Sequence, residues 1–343
     1  MNTDNRESIP ATLIRGDGIG PEIIEATLEV LDAVKAPFQW DEQQAGLGAL
    51  KATGDPLPDT TLESIGRNKL ALKAPLTTPV GGGFKSINVR LRQAFKLFAN
   101  VRPARSYLDD GLFKNIDIVL IRENLEGMYV GIEHFVPVGD DPHGVAESSS
   151  FNTRIGCERI ARYSFDFAVR HKRKKVTIVH KANILKALTG LFLETALQVG
   201  EEFEDQLLIE DRIVDNTAMQ LVTHPEKFDV IVTTNMFGDI LSDEISGLVG
   251  GLGLTPGANK GHDVAVFEAV HGSAPDIAGQ GIANPTALML SAAMMLDHVG
   301  HRDKAETIRS TIRRVLNQEG VRTGDLGGKA NTREYTAAIL ANI

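Results

Sequence analysis

The 343-residue chain has one cysteine, Cys157, and one tryptophan. A single thiol excludes an intrachain disulfide framework. Long apolar runs are missing too, and nothing approaches the roughly 18 apolar residues that a membrane-spanning helix requires. The opening stretch Met1–Ser8 lacks an apolar core and carries two acids against one arginine. Neither a secretory leader nor a mitochondrial presequence is therefore expected, and a cytoplasmic protein is the plain expectation. Excess positive charge is also absent. A net charge of −9 gives no general electrostatic support for a nucleic-acid or anionic-membrane partner. The one basic run, Arg170 to Lys175, closes an amphipathic helical pattern and reads as a solvated helix end favoured by the dipole.

What is present is ordinary for a globular protein: 42% hydrophobic and 24% charged residues, in a chain long enough for two domains. Short apolar runs alternate with helical patterns. "TLIRG", "LALKAP", "IDIVLIREN", "KVTIVHK", "QLLIEDRIVD", "FDVIVTTN" and "VAVFEAVHG" read as strands. Pro21 opens a helix with Ile24, Leu28 and Leu31 on one face, and Cys157–Arg170 and Leu188–Glu201 are further helices. That alternation predicts a mainly parallel sheet between helices, with ligands at the edge where polar residues follow the strands. Gly131–Arg154 breaks the rhythm and reads as an antiparallel excursion, an arm suited to pairing with another subunit. Gly247–Gly261 is glycine-dense and reads as a hinge plus a ligand loop.

Two glycine motifs invite phosphate readings, and neither holds. In "LIRGDGIGPEI" the glycines are Gly16, Gly18 and Gly20, so the third is one position early for a dinucleotide fingerprint, and Asp41 is weak support as its ribose acid. A tight turn leading into a helix is the better reading. "PVGGGFKS", Pro79–Ser86, puts Phe84 where a phosphate loop needs glycine before lysine.

Three groups of residues can carry chemistry. Ser86, Asn88 and Arg92 fall at the opening of one helix, Arg102 lies on the strand after it, and Arg122 follows "DIVLI". Converging guanidiniums suit a substrate with two or three carboxylates, although each arginine alone reads as a surface residue. Asp239 and Asp243 are about 40° apart around a helix axis and about 6 Å along it. With Asp215 as a third carboxylate they suit Mg²⁺ or Mn²⁺, or else form a solvated acidic face. Tyr129 and Lys181 stand just beyond strands, as proton-transfer groups or as ordinary surface residues.

Taken in order, "GDGIGPE", "NVRPARS", "RENLEGMYVGIEH", "HKANI", "FGDILSDEISGLVGG" and "EAVHGSAPDIAGQGIANP" resemble the decarboxylating β-hydroxyacid dehydrogenases, the isocitrate and isopropylmalate dehydrogenase family. The resemblance spans nearly the whole chain. It implies two α/β domains, not a Rossmann fold: a large cofactor domain from 1–99 and 252–343, and a small domain from 100–251 whose arm is 131–154. It also implies a homodimer with shared active sites, in which Asp215, Asp239 and Asp243 hold the metal and Tyr129 and Lys181 move protons.

"SINVRLR" is similar to the isocitrate enzymes, whose serine and asparagine, here Ser86 and Asn88, hold the γ-carboxylate beside Arg92, Arg102 and Arg122. Arg90 should face away from them. The resemblance places His271, Gly272, Asp276, Ile277 and Asn284 around the adenosine half of NAD, with Thr77, Thr78 and Asn183 near its nicotinamide. NADP-using relatives carry lysine and tyrosine at Asp276 and Ile277, and arginine at Gly328, so NAD is expected. Isocitrate is the expected substrate. The competing readings are homoisocitrate or isopropylmalate as substrate, and a noncatalytic regulatory subunit.

Overall fold

The structure, a computed structural model, describes residues 8–78 and 86–343. The leader reading and nearly all of the rejected phosphate loop fall outside the described residues. The chain divides into two compact units. The first takes the described residues up to Leu97, then Arg102–Ile116 and Ser246–Ile343. The second takes Phe98–Val101 and Asp117–Ile245. Both chain ends thus build the first unit. Residues 102–116, which the sequence reading put in the middle segment, group with it.

In the first unit the strand order is Phe38–Gln43, Ile9–Ile14, Leu70–Lys73, Ala265–Ala269, Pro256–Lys260. The first four run parallel, and Pro256–Lys260 is antiparallel to its neighbour. This last strand corrects the reading of Gly247–Gly261 as a hinge plus a ligand loop. Pro256, Gly257 and Ala258 are buried beneath the helix Thr286–His298, where small residues let a strand and a helix pack closely. Pro21 lies in the first turn of the helix Gly20–Ala33, whose Ile23, Ile24, Val30 and Leu31 enter the core. Asp41 sits on the edge strand and accepts from Ser64 at 2.8 Å and Arg67 at 2.5 Å, a structural role.

The opening glycine motif is a crossing point for loops. Gly16 and Gly18 have φ of +72° and +59°. A β-carbon on Gly16 would lie 2.3 Å from the Pro75 carbonyl oxygen, and one on Gly18 would lie 1.9 Å from that of Ser273. Between them Asp17 is buried, and its carboxylate accepts from the backbone N–H of Leu47 at 2.9 Å and of Thr77 at 2.8 Å. Left-handed glycines and a buried acceptor let one turn seat three other segments.

In the second unit the strands Asp117–Glu123, Val230–Thr233, Lys175–His180 and Leu208–Ile213 lie in that order, all parallel. The first three are almost wholly buried, as their continuous apolar runs require. Helices Arg154–Arg170 and Leu188–Gly200 pack on each other and on this sheet, the first capped by the Thr153 hydroxyl, which accepts from Gly156 N–H at 3.0 Å. Most of the basic run is exposed, at Arg170, His171, Lys172 and Lys174, but Arg173 is not. Arg173 reaches Asp117 at 2.6 Å and Asp229 at 2.9 Å, because two carboxylates at the strand edge need a cation. The excursion is an antiparallel hairpin of Ile132–Val138 and Asp141–Ser149, every residue exposed, with Phe135 and Val138 among its apolar groups. Among the described residues no helix is long and apolar enough to cross a membrane.

The crossing point predicts the cost of filling it. Gly18→Ala should lose about 1–2 kcal/mol to backbone handedness alone, and more as the Ser273 segment is pushed away. Denaturant unfolding measures this, and an unchanged midpoint would show that the turn carries no packing constraint.

Candidate active site

In the first unit, the all-buried strand Leu70–Lys73 ends in a charge. Lys73 is 1% exposed, and its Nζ meets the Glu268 carboxylate at 2.5 Å on the adjacent parallel strand. Asn259 donates to the same carboxylate at 2.6 Å, and the Arg92 guanidinium lies 3.9 Å away. Burial alone would raise the Glu268 carboxyl, but the charges of Lys73 and Arg92 and these hydrogen bonds reverse that and bring it to about 2. Neither Lys73 nor Glu268 was singled out from the sequence. The available signal was a charged residue inside "LALKAP" and another inside "VAVFEAV".

Ser86 stands just before the helix Ile87–Ala94, which carries Asn88 and Arg92. The helix is short, so Arg92 falls in its last turn and not at its opening. Among the described residues the side-chain oxygen of Asn88 is shielded from solvent and has no hydrogen-bond partner, which leaves an acceptor open. Arg90 turns elsewhere, to Asp55 at 2.7 and 3.2 Å. Arg102, on the strand Ala99–Arg105, is buried.

The same unit contains a cavity of about 670 Å³. Its wall includes Ile19, His271, Gly272, Ile277, Asn284 and Asp325. The His271 Nδ1 lies 2.9 Å from the Gly272 carbonyl oxygen, and its Nε2 is shielded without a partner among the described residues. Burial pushes the imidazole pKa down, so the ring is neutral at ordinary pH. Nδ1 must then carry the proton, which leaves Nε2 as an acceptor in want of a donor. Asn284 donates to Asp325 at 2.9 Å, and Asp325 is a cavity residue that the sequence reading missed. Asp276 is exposed outside this wall, next to Ile277 within it. The Thr77 hydroxyl meets that of Ser273 at 2.6 Å, and the Thr78 hydroxyl accepts from Ile87 N–H at 3.4 Å.

In the second unit, Arg122 lies at the end of the strand Asp117–Glu123 and is 1% exposed. Its Nε and Nη2 donate to the Asn235 side-chain oxygen at 3.0 and 2.7 Å, and it pairs with Asp239. Gly238 makes room, since a β-carbon there would lie 2.6 Å from the Arg122 side chain. The Tyr129 hydroxyl donates to Asp239, and the Arg122 guanidinium carbon sits 4.8 Å from its ring centre. Burial and the Asp239 carboxylate raise the phenol pKa, so Tyr129 keeps its proton at neutral pH. Asp239 and Asp243 share the helix Asn235–Leu248, one turn apart.

Lys181 and Asp215 form a separate ion pair, which holds the Asp215 carboxyl below its ordinary value. Asp215 is in the first turn of the helix Val214–Thr223, one element later than the strand end predicted for it. Asn183 is exposed just after Lys181. Among the described residues no three His, Cys, Asp or Glu side chains of one chain gather as a metal cage. One chain therefore brings together Arg122, Tyr129 and Asp239, and pairs Lys181 with Asp215, without assembling Asp215, Asp239 and Asp243.

A family model described as isocitrate/isopropylmalate dehydrogenase matches residues 11–339. The NAD isocitrate dehydrogenase subunit 2, mitochondrial, of Schizosaccharomyces pombe is 46% identical over 97% of this chain and 87% of its own. An NADP isocitrate dehydrogenase of Thermus thermophilus is 46% identical over 99% of this chain and 68% of its own. The homoisocitrate dehydrogenase of Methanocaldococcus jannaschii is 45% identical over 96% of each. The crystal structure of isocitrate dehydrogenase from Methylococcus capsulatus is similar at 53% identity and a TM-score of 0.93, covering 97% of this chain and 98% of that one.

The buried pair makes stability depend on acid. The folded Glu268 carboxyl lies near 2 against an ordinary 4.5, so its contribution is complete above about pH 4.5 and disappears as pH falls toward 2. Lys73→Met should cost about 3–5 kcal/mol at neutral pH by stranding the carboxylate, and Lys73→Met with Glu268→Met should regain most of it. Unfolding midpoints between pH 7 and 2 decide; a single variant as stable as the wild type removes the pair from this role.

Proposed function

The chain belongs to the isocitrate/isopropylmalate dehydrogenase family, and on that footing we propose that it oxidises and decarboxylates isocitrate to 2-oxoglutarate and CO₂ with NAD and Mg²⁺ or Mn²⁺. The observation that carries this reading is the cluster of Arg122, Tyr129 and Asp239: a buried cation, a protonated phenol and a carboxylate at one strand end. The choice of acid rests on Asn88. Its shielded, partnerless oxygen beside Ser86 suits a polar substituent, and facing an isopropyl group it would stay unpaired at a cost of roughly 1–3 kcal/mol.

The cavity with His271 fits an adenosine, because a ribose or base donor would satisfy Nε2 while Ile19 and Ile277 cover an apolar face. Two features favour NAD over NADP. Asp276 would repel a 2′-phosphate, and an arginine at 328 has no room, since a β-carbon on Gly328 would lie 1.8 Å from the Arg322 carbonyl oxygen.

The hard oxygens of Asp239 and Asp243, one turn apart on one helix, fit a divalent cation. We assign the cation to Asp239, Asp243 and Asp215 of the partner subunit. When bound, the cation polarises the substrate's C2 oxygen and NAD accepts the hydride. Arg92, Arg102 and Arg122 grip the carboxylates, and Ser86 and Asn88 hold the γ-carboxylate. Lys181 of the partner subunit, once deprotonated to its neutral amine, takes the hydroxyl proton, directly or through water. The Tyr129 hydroxyl then protonates the carbon left by the departing carboxylate. In a homodimer Lys181 and Asp215, paired on one chain, would enter a neighbour's site together. The exposed apolar hairpin suits the same contact.

Homoisocitrate stays the second reading, favoured by the Methanocaldococcus relative. Initial rates with isocitrate, homoisocitrate and isopropylmalate, each with NAD and NADP, with metal or chelator, test the whole scheme. Isocitrate should have the highest kcat/KM, NAD should exceed NADP by about 10²-fold, and chelator should abolish turnover. Higher kcat/KM for another acid would overturn the substrate assignment. Tyr129→Phe should lower kcat by about 10²–10⁴-fold, and unchanged turnover would remove Tyr129 from the proton step.

A further inference from the structure

We propose that Asn235 is a positioning residue that sets both Arg122 and Tyr129, an inference that rests on the reaction assigned above. Asn235 opens the helix that carries Asp239, and its side chain is 1% exposed. Its oxygen accepts from Arg122 Nε at 3.0 Å and Nη2 at 2.7 Å. Its Nδ2 donates to the Glu126 carbonyl oxygen at 2.8 Å. The amide orientation is forced, because a guanidinium only donates and a carbonyl only accepts. One planar group therefore holds the guanidinium edge with one end and the backbone three residues before Tyr129 with the other.

The neighbours fix that backbone further. The Glu123 carboxylate accepts from Glu126 N–H at 2.8 Å, and the Glu126 carboxylate accepts from Thr153 N–H at 2.7 Å and from its hydroxyl at 2.6 Å. Gly127 passes so near that a β-carbon there would lie 3.3 Å from that of Asn235. The segment Gly127–Val130 is thus tied to the strand that carries Arg122, to the helix Arg154–Arg170, and through Asn235 to the helix that carries Asp239. Without the amide, Arg122 would keep its charge contact with Asp239 and lose the two bonds that set its plane. Tyr129 would keep its ring and lose one anchor of its segment. A group displaced by about 1 Å in a reacting cluster costs about 10²-fold in rate.

Two variants separate positioning from mere support of the fold. N235A removes both ends of the amide. N235D keeps oxygen for Arg122 and sets oxygen against the Glu126 carbonyl, so it spares one function and breaks the other. Both are assayed with whichever of isocitrate, homoisocitrate and isopropylmalate the wild type turns over fastest, so a wrong choice of acid is seen in the wild type alone. N235A should lower kcat/KM for the acid by about 10²-fold, with KM for NAD within about twofold of wild type and only a small change in Tm. N235D should keep the wild-type KM for the acid and lose kcat, a split that a purely structural residue does not produce. If N235A does not fold, N235D decides. The inference falls if N235D turns over like the wild type, or if KM for NAD and Tm shift in step with kcat. A wild type inert with all three acids overturns it together with the proposed reaction.

Discussion

Charge held where water cannot reach it governs this architecture. In the first unit an apolar parallel strand ends in Lys73, and the next ends near Glu268; each is tolerable only because the other is there. In the second unit the same constraint acts on Arg122, which is buried in full and answered by Asn235 and Asp239. Such pairings give little net stability, because desolvation offsets much of the attraction. What they supply is fixed geometry, which recognition of the proposed charge-rich substrate would need.

That economy also explains how the pairs are distributed along the chain. Each lies at or just beyond the carboxyl end of a parallel strand: Lys73, Glu268 and Arg122 within their strands, Lys181 immediately after its strand and Asn235 two residues after its own. Strand interiors are sealed by helices, so the first position where a polar side chain can meet a ligand is the strand's end. Asp215 departs from this by one element and sits in the first turn of a helix, where the positive dipole end favours a carboxylate. Lys181 binds it there, and the pair behaves as one unit with compensated charge.

Much of this was readable before any coordinates, for a physical reason. Hydrophobic runs such as "IDIVLIREN" and "FDVIVTTN" have no other stable fate than buried strands, and the i, i+4 spacing of Asp239 and Asp243 fixes one helix face. Pairings between distant residues were not readable. Nothing in "KVTIVHK" tells that Arg173, just before it, will be drawn from solvent by Asp117 and Asp229. The glycines and proline around Pro256–Lys260 point to a loop because such residues usually end structure, whereas here small residues serve close packing under a helix. Asn235 looks like an ordinary helix start until Arg122 and Glu126 are placed around it.

The glycine motif near the start shows the same distinction between local pattern and tertiary demand. Its spacing fails the dinucleotide fingerprint, yet its glycines are no less constrained than that fingerprint's would be. Gly16 and Gly18 admit no side chain because the carbonyls of Pro75 and Ser273 occupy the space, and Asp17 between them ties down Thr77. Ser273 and Thr77 in turn share a hydrogen bond, and Ile19 enters the cavity wall beside His271. In a Rossmann turn the glycines bring backbone against a pyrophosphate; here they bring backbone against backbone, and the ligand surface is made by what that contact holds in place. A glycine motif of unfamiliar spacing is therefore better read by asking what must approach it than by which phosphate it might bind.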